Sequence, residues 1–498
     1  MVSPSIIAAL AAALVFYIPL PAMRLLVPAA AVLIFVLPRR GPFSFLPGIP
    51  VSSGAFAGAL GLGIVCGFLA AAGTGNFAPG LPAERIYSLR GKLLDDPRSL
   101  PSVSGSGGSR RNMPAAPEEE RGMAYLKLEE AGAFLPGAAA KSSARGRVPV
   151  FFPPGTLGRV KEFGRGAEVY VEGAFLSGEP ARGPRFRAVS AHTIRPAPAP
   201  ERIRTAVRSA LLARLEEKPW GGLAAALLLG TRENLDDELA RSFRDAGLAH
   251  ILALSGMHLA FLSALLAFSL KKPLGKKGAI LAGLVFIILY VFLVGPQPSL
   301  IRAAIMYILG SCLFLAGMGV RPLILLGISF LIQILLDPPS ARSLSFILSY
   351  LALGGILLLG NTLDSLFRGL LPPWLAGGLA PSLGAFLATA PAAAACFGIL
   401  RPAGIVVGLI AAPLSGVFMA FSLGALVLEH IPGPAFLFDR ILVLLQLILQ
   451  RTVSAFSRGL AFKAAPLAVC LGLPPVLLLL FFLADRRNRY RNSLAPFA

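Results

Sequence analysis

The sequence predicts a polytopic α-helical membrane protein with a small extracytoplasmic β domain inserted between its first spans and its main bundle. Three observations carry this reading. The chain has 498 residues, of which 55% are hydrophobic and only 14% charged; a soluble chain carries about 25% charged residues. Several apolar runs reach the ~18–20 residues that cross a bilayer as a helix. Between them, residues 80–200 fall into short stretches in which polar and apolar residues alternate, the period of half-buried strands.

Charge and cysteine narrow the class. The net charge is +21 and the mean hydropathy +0.74. Basic residues of this kind mark cytoplasmic loops and lipid headgroup contacts, or a polyanionic partner such as nucleic acid. Cys66, Cys312, Cys396 and Cys470 are dispersed in apolar runs without a CxxC, so they read as buried thiols acting as small hydrophobes. The first apolar run, from Ile6 to Leu20, has no basic n-region before it and reads as a retained span, not a cleaved signal.

Residues 1–78 hold about three apolar segments, at 5–20, 23–37 and 49–73. Arg39 and Arg40 lie between the second and third. Placed in the cytoplasm, they send the third span out near Gly75, so that residues 79–246 are expected outside the cytoplasm. Strand-like runs follow at 84–94, 123–131, 146–153, 166–176 and 185–195, parted by Pro, Gly and Ser clusters, the longest from Pro101 to Pro117. Five short strands over residues 79–200 fit a small barrel, and the OB-fold is a common five-stranded solution. Residues 80–219 carry a basic surplus of about eight. OB-folds bind single strands on aromatic platforms beside a basic groove; Phe151, Phe152, Phe175 and Phe186 serve either that purpose or the barrel core.

Residues 201–246 read as amphipathic or interfacial helices. In 201–218, Ile203, Val207, Ala210, Leu211 and Leu215 share one face, and Pro219 ends the helix. The run from Trp220 to Gly230 is apolar but too short to span. A polar helix from Leu235 to Ala246 follows, with Asn234 as candidate N-cap, acids in its first turn and Gly247 placed to close it. Residues 247–485 form the main bundle. The first span, Leu248 to Leu270, is followed by Lys271, Lys272, Lys276 and Lys277, a second cytoplasmic mark that agrees with the first. Further spans are expected at 278–295, 299–317, 321–336, 343–360, 376–398, 403–428 and 465–484. The segment 437–463 either crosses or lies in the interface. The tail, 486–498, begins RRNRYR and is expected in the cytoplasm.

Four stretches could carry chemistry. In SGMH, Ser255 and His258 are three apart and share a helix face, with His250 about two turns earlier and Gly256 allowing close approach. They read as polar glue between helices, as the lining of an aqueous path, or as a nucleophile and base. No aspartate with a matching role is identifiable, and two histidines make a weak metal site. Arg302 lies one turn inside the span that opens Pro298-Ser299. It either snorkels to headgroups or faces a path and attracts phosphate. Ser343, Ser345 and Ser349 recur along the span after Asp337-Pro338. Pro391 and Pro413 predict kinks or breaks in late spans. A P-loop is absent from the sequence, and the four histidines, His192, His250, His258 and His430, are too dispersed for a two-metal nuclease.

Taken together, these stretches resemble the ComEC family of DNA-internalisation competence proteins. The matching residues are Leu227–Arg232, Phe243, Ala246–Leu248, His250–Ala253, Ser255–Gly256 and His258. Pro298, Ser299, Arg302, Ala303 and Met306 match a second element, and Asp337, Pro338, Ser343, Ser345, Phe346 and Leu348–Ala352 a third. The resemblance covers about 220–430 well, and 50–200 resemble the family's OB-type domain. It implies passage of single-stranded DNA across the cytoplasmic (inner) membrane during natural transformation. Arg232, Arg244, His250, Ser255, Gly256, His258, Arg302 and Ser345 are then expected along the DNA path, with no catalytic residue, metal or cofactor. Many family members continue into a metallo-β-lactamase-like nuclease domain, whose metal motif this chain lacks. A separate nuclease and a cytoplasmic helicase or translocase are therefore expected partners, besides DNA, membrane lipid and further copies of the chain. A transporter or flippase for another anionic substrate is the alternative, and an intramembrane Ser/His enzyme a third reading.

Overall fold

The computed structural model describes residues 83–99, 122–135, 138–153, 163–176, 185–319, 321–457 and 461–463, with isolated positions at 9, 12, 13, 156 and 160. Apart from positions 9, 12 and 13, the expected spans at 5–20, 23–37, 49–73 and 465–484, the loop at 101–117 and the basic tail lie outside them.

The alternating stretches are strands: β1 (Ile86–Leu93), β3 (Gly122–Leu135), β5 (Arg147–Phe152), β6 (Glu168–Phe175) and β7 (Phe186–Arg195), joined by the short β2 (Arg98–Ser99) and β4 (Ala138–Ser143). They form one seven-stranded sheet. β1 pairs antiparallel with both β3 and β6, β6 with β7, β7 in parallel with β5, and β5 with β3. One face of every long strand is apolar and closes a core of Leu89, Leu126, Val148, Val150, Phe152, Val171 and Phe186. Phe152 and Phe186 are fully buried there, and Phe175 meets Phe186 edge-on at 5.1 Å. Three of the four candidate stacking residues therefore serve the core; Phe151 is half-buried. β4, AAAKSS, has no β-branched or aromatic residue and gave no strand signal; it forms by folding back along the far end of β3.

Helix α1 (Ala199–Glu216) leaves the sheet. Its apolar stripe lies largely outside, as on a helix at a membrane surface: Ile203 is 64% and Val207 46% exposed, while Arg204 and Leu215 are buried. The inward face is instead held by charge. Arg204 donates to Asp96 Oδ1 at 2.5 Å and to Glu201 Oε2 at 2.7 Å. Burial alone would raise the Asp96 carboxyl, but the hydrogen bond and charge of Arg204 outweigh it and hold the group below the usual carboxylate range. α2 (Gly221–Ala224) and a following π-helical turn, Ala225–Leu229, are buried, as a short apolar re-entrant segment must be. α3 (Asp237–Asp245) is capped by Asp236, whose side chain accepts from the Glu238 amide at 3.0 Å; Asn234, the expected cap, instead donates to Glu216. Gly247, at φ 79°, closes the helix as expected.

After α4 (Ala249–Leu252) comes α5 (Gly256–Val294), 39 residues with non-helical backbone at Gly275, φ 67°. A straight helix of that length would extend about 58 Å. Its two ends instead lie near one another: Ser299, just past the C-terminal end, donates to the Leu254 carbonyl at 2.8 Å. α5 is thus a hairpin, with arms 256–274 and 276–294 about the thickness of a bilayer's hydrocarbon. Its tip carries Lys271, Lys272, Lys276 and Lys277, all exposed. Gly supplies the positive φ that the tip demands. This is the pair of spans the hydropathy predicted.

The rest of the bundle is α6 (Pro298–Leu315), α7 (Pro322–Leu336), α8 (Pro338–Ala341), α9 (Leu344–Phe367), α10 (Pro373–Phe397), α11 (Ala403–Leu428) and α12 (Pro432–Ser457), with a two-residue pairing of β8 (Ile399–Leu400) and β9 (Phe462–Lys463). α5, α6, α9, α10 and α11 are long and apolar enough to cross a membrane; α7 is apolar but shorter. The protein is a multi-pass membrane protein. α10 and α11 run through Pro391 and Pro413 without the predicted break; a single lost hydrogen bond is absorbed within a packed membrane helix. Cys312 and Cys396 are free and lie on the outside of the helices, not in the interior as expected.

Candidate functional site: a polar junction at the head of a membrane hairpin

The junction is built where the chain changes from interfacial helices to spans. α4 ends at Leu252, Leu254 is fully buried, and Ser255 takes extended backbone as the N-cap of α5. Its backbone N–H donates to His258 Nδ1 at 3.2 Å, and its hydroxyl lies 2.9 Å from the same nitrogen. Nδ1 is therefore an acceptor, which places the neutral ring's proton on Nε2. That nitrogen is buried and makes no well-aligned hydrogen bond among the described residues.

Arg302 reaches the junction from the second turn of α6. It is 8% exposed. It donates to the carbonyl of Ser349 on α9, and its guanidinium lies 5.7 Å from the Tyr350 ring. Its Nε is buried without a partner. Nη2 would stand 3.1 Å from a Cβ on Gly256, and Ala303 Cβ 3.2 Å from it, so glycine lets the guanidinium approach without crowding. A buried guanidinium without a carboxylate partner is costly in a membrane interior.

Polar groups from α7 and α9 stand beside it. Gln333, on α7, donates to the Pro298 carbonyl at 2.9 Å and accepts from the Tyr350 hydroxyl at 3.0 Å; that hydroxyl is also 3.3 Å from Ser329 Oγ. Sequence reasoning passed over Gln333 and Ser329. A lone amide in the run LILLGISFLIQILL was the available signal, since an amide in hydrocarbon needs partners.

Of the eight expected path residues, Ser255 pairs with His258, and Gly256 lies against Arg302. Arg232 approaches the same end, donating to the Leu252 carbonyl at 3.3 Å. Arg244 is near enough for the two charges to repel, and both are exposed. His250, on α4, is exposed as well. Ser345 is exposed on α9, one turn before the Ser349 carbonyl that holds Arg302, and is not part of the cluster.

What fixes the junction is the opposite end of the hairpin. Arg208 donates to the Val294 carbonyl at 2.9 Å and to Thr231 Oγ1 at 2.8 Å, and Arg204 to the Leu293 carbonyl at 3.5 Å. Tyr290 donates to the Leu228 carbonyl at 2.8 Å. Cations at helix C-terminal carbonyls suit the macrodipole. The sheet touches the bundle once more through Arg147 and Asp337, 2.9 Å apart. No group of three or more His, Cys, Asp or Glu placed to hold a metal occurs among the described residues.

Fold and junction together define a multi-pass helical membrane protein with a sheet domain docked at one end of a buried polar site. The chain belongs to the competence protein family, whose family model matches residues 227–487. It is 32% identical over 133 residues to ComE operon protein 3 of Bacillus subtilis (strain 168), 26% of this chain and 17% of that one. It is 28% identical over 232 residues to an uncharacterized protein of Aquifex aeolicus (strain VF5), 45% of this chain and 52% of that one. It is also 28% identical over 124 residues to the uncharacterized protein YcaI of Escherichia coli (strain K12), 23% and 16%. The matches thus span at most about half the length of these relatives. No solved structure matches the chain.

Proposed function

We propose that this protein takes part in DNA uptake by conducting one DNA strand across the cytoplasmic membrane during natural transformation. The observation that carries this is Arg302: a buried cation without a carboxylate partner, at the head of a membrane hairpin, in a chain of the competence family. A polyphosphate strand crossing hydrocarbon needs an electropositive lining that excludes lipid. Arg232 and Arg244 would receive the strand at the mouth, and Ser255, His258 and Arg302 would line the path.

In this reading the sheet is an OB-type barrel on the extracytoplasmic side. The pairing ring β1–β6–β7–β5–β3–β1, with its parallel β5–β7 contact, supports the barrel. The lysine tip of α5, on the far side from the docked sheet, supports the orientation. Ser255 and His258 are not read as a hydrolase. His258 Nε2 has no carboxylate to orient it, as an activated serine would require.

The test is cytoplasmic arrival of labelled transforming DNA in competent cells lacking the protein. Complementation would use wild type, His258→Ala and Arg302→Ala at matched expression. Loss on deletion, rescue by wild type and reduced arrival with the variants, while surface DNA persists, is the expected result. Undiminished arrival on deletion would remove the DNA role and leave transport of another anion as the reading.

A further inference from the structure

Arg302 sits one turn inside α6. Its stem is long enough to carry the head to the lipid headgroups, the usual resting place of an arginine near the end of a membrane helix. It is instead 8% exposed, so something holds it inward. Two contacts reach its head, the Ser349 carbonyl and the Tyr350 ring. A carbonyl engages a small part of a guanidinium that has five N–H donors. A ring stabilises the cation as a whole, and more strongly out of water, provided the ring is kept beside it.

Tyr350 is fixed at both ends. Phe346 and Phe330 pack against its ring, with centroids 4.5 and 5.2 Å away. Its hydroxyl meets Gln333 Oε1 at 3.0 Å. The sense of that bond follows from the other half of the amide. The Pro298 carbonyl can only accept, so Gln333 turns Nε2 toward it, at 2.9 Å, and leaves Oε1 to accept from Tyr350. In an α-helix the same carbonyl is addressed by the backbone amide four residues on, which is that of Arg302. One amide side chain, 3% exposed, therefore touches the root of Arg302 directly and its head through Tyr350. Among the described residues no hydrogen bond joins Gln333 to the guanidinium itself.

We infer that Gln333 and Tyr350 are positioning residues, which hold the Arg302 cation inside the bundle and keep it from turning out to the headgroups. An amide suits this task better than a carboxylate. It fixes the ring without setting a counter-charge close to the cation in a medium of low dielectric. The inference rests on the conduit reading, in which a passing strand needs that cation unneutralised, and deepens it by naming what keeps the cation in place.

The test uses the full chain, labelled with ¹³C,¹⁵N-arginine and held in nanodiscs. The Arg302 guanidinium signal is assigned by its loss in Arg302→Lys. Gln333→Met keeps the side-chain volume and removes both hydrogen bonds; Tyr350→Phe keeps the ring and removes the hydroxyl. Each is expected to move the Arg302 signal, although neither changed group bonds to it. The double variant is expected to move it no further than the larger single effect, because the two residues act along one route. In competent cells each single variant is expected to lower DNA arrival about fivefold, the effect of one lost hydrogen bond. The double variant should do the same, not the roughly 25-fold product of two independent losses. Should Gln333→Met fail to fold, Tyr350→Phe alone still decides.

An Arg302 signal unmoved by these variants overturns the inference, as do independent effects that multiply in the double variant. Arrival left intact by variants that do move the signal, in cells where arrival depends on the protein, overturns it as well. The conduit is judged separately: deletion that spares arrival refutes the conduit, while the guanidinium signal still reports whether Gln333 and Tyr350 hold the cation.

Discussion

Two arginines show how one residue type does opposite work. Arg204 is 1% exposed and ion-paired with Asp96 and Glu201; Arg302 is as deeply placed but has only a carbonyl and an aromatic ring. Arg204→Ala leaves Asp96 with only the Arg165 amide, at 3.2 Å, and the nearby Arg208 charge. It should cost about 2–3 kcal/mol, at or below the ~3–5 kcal/mol for breaking a fully buried pair, because Asp96 is 30% exposed. Thermal unfolding of the purified protein in detergent checks this. The same pair has a pH signature. Because the folded pKa of Asp96 is depressed, its contribution is present above the unfolded value of about 3.9 and is lost as pH falls through the folded value. Hydrogen exchange of the β1–β2 connection and α1 should therefore rise in acid. In Asp96→Asn it should be raised already at neutral pH, with no such acid step. None of this was legible in the sequence. Asp96 and Arg204 are 108 positions apart, and nothing in spacing joins them.

At the scale of elements, the closest helix contact is between α9 and α10. A Cβ on Gly355 would fall 2.3 Å from the Gly384 carbonyl oxygen, and one on Gly384 2.9 Å from the Gly355 oxygen. Membrane helices gain stability from such backbone approach. Gly355→Leu should force the pair apart and cost more than about 2 kcal/mol. Unaltered melting in detergent would mean the two helices meet elsewhere. Hydropathy found these helices because lipid-facing and buried positions are both apolar, and a run of about 20 such residues needs no further signal. On α1 hydropathy left the partner of the apolar face open for a related reason. Periodicity finds the apolar face but not what that face meets; Ile203 and Val207 point outward, and the interior side carries guanidinium groups. The strands were legible from alternation. Phe152 and Phe186 were placed as core by the simpler of the two readings, while β4 had no pattern to read.

The whole molecule has a direction. The sheet, α1 and both ends of the α5 hairpin gather at one end, and the lysine tip lies an arm's length away. Single cysteines at Glu172 in β6 and Lys276 at the tip, in a background without the four native cysteines, should label from opposite sides of the membrane with an impermeant maleimide. Labelling from one side would reverse the proposed topology. The candidate site was legible in part. SGMH and Arg302 were visible as polar residues in apolar runs; the structure pairs Ser255 with His258 and sets Arg302 against Gly256. Ser345 was chosen by helical spacing, but its side chain is exposed; the backbone of Ser349, one turn on, makes the contact. Backbone carbonyls leave no mark in a sequence.

The tie between Arg208 and the end of the hairpin has a mechanical consequence. Anything that pulls on the sheet loads α1, and α1 is fastened by Arg204 and Arg208 to the Leu293 and Val294 carbonyls, only four residues before the turn that opens α6 and carries Arg302 inward. Tension on the sheet would thus be delivered, through α1, to the wall that holds the guanidinium.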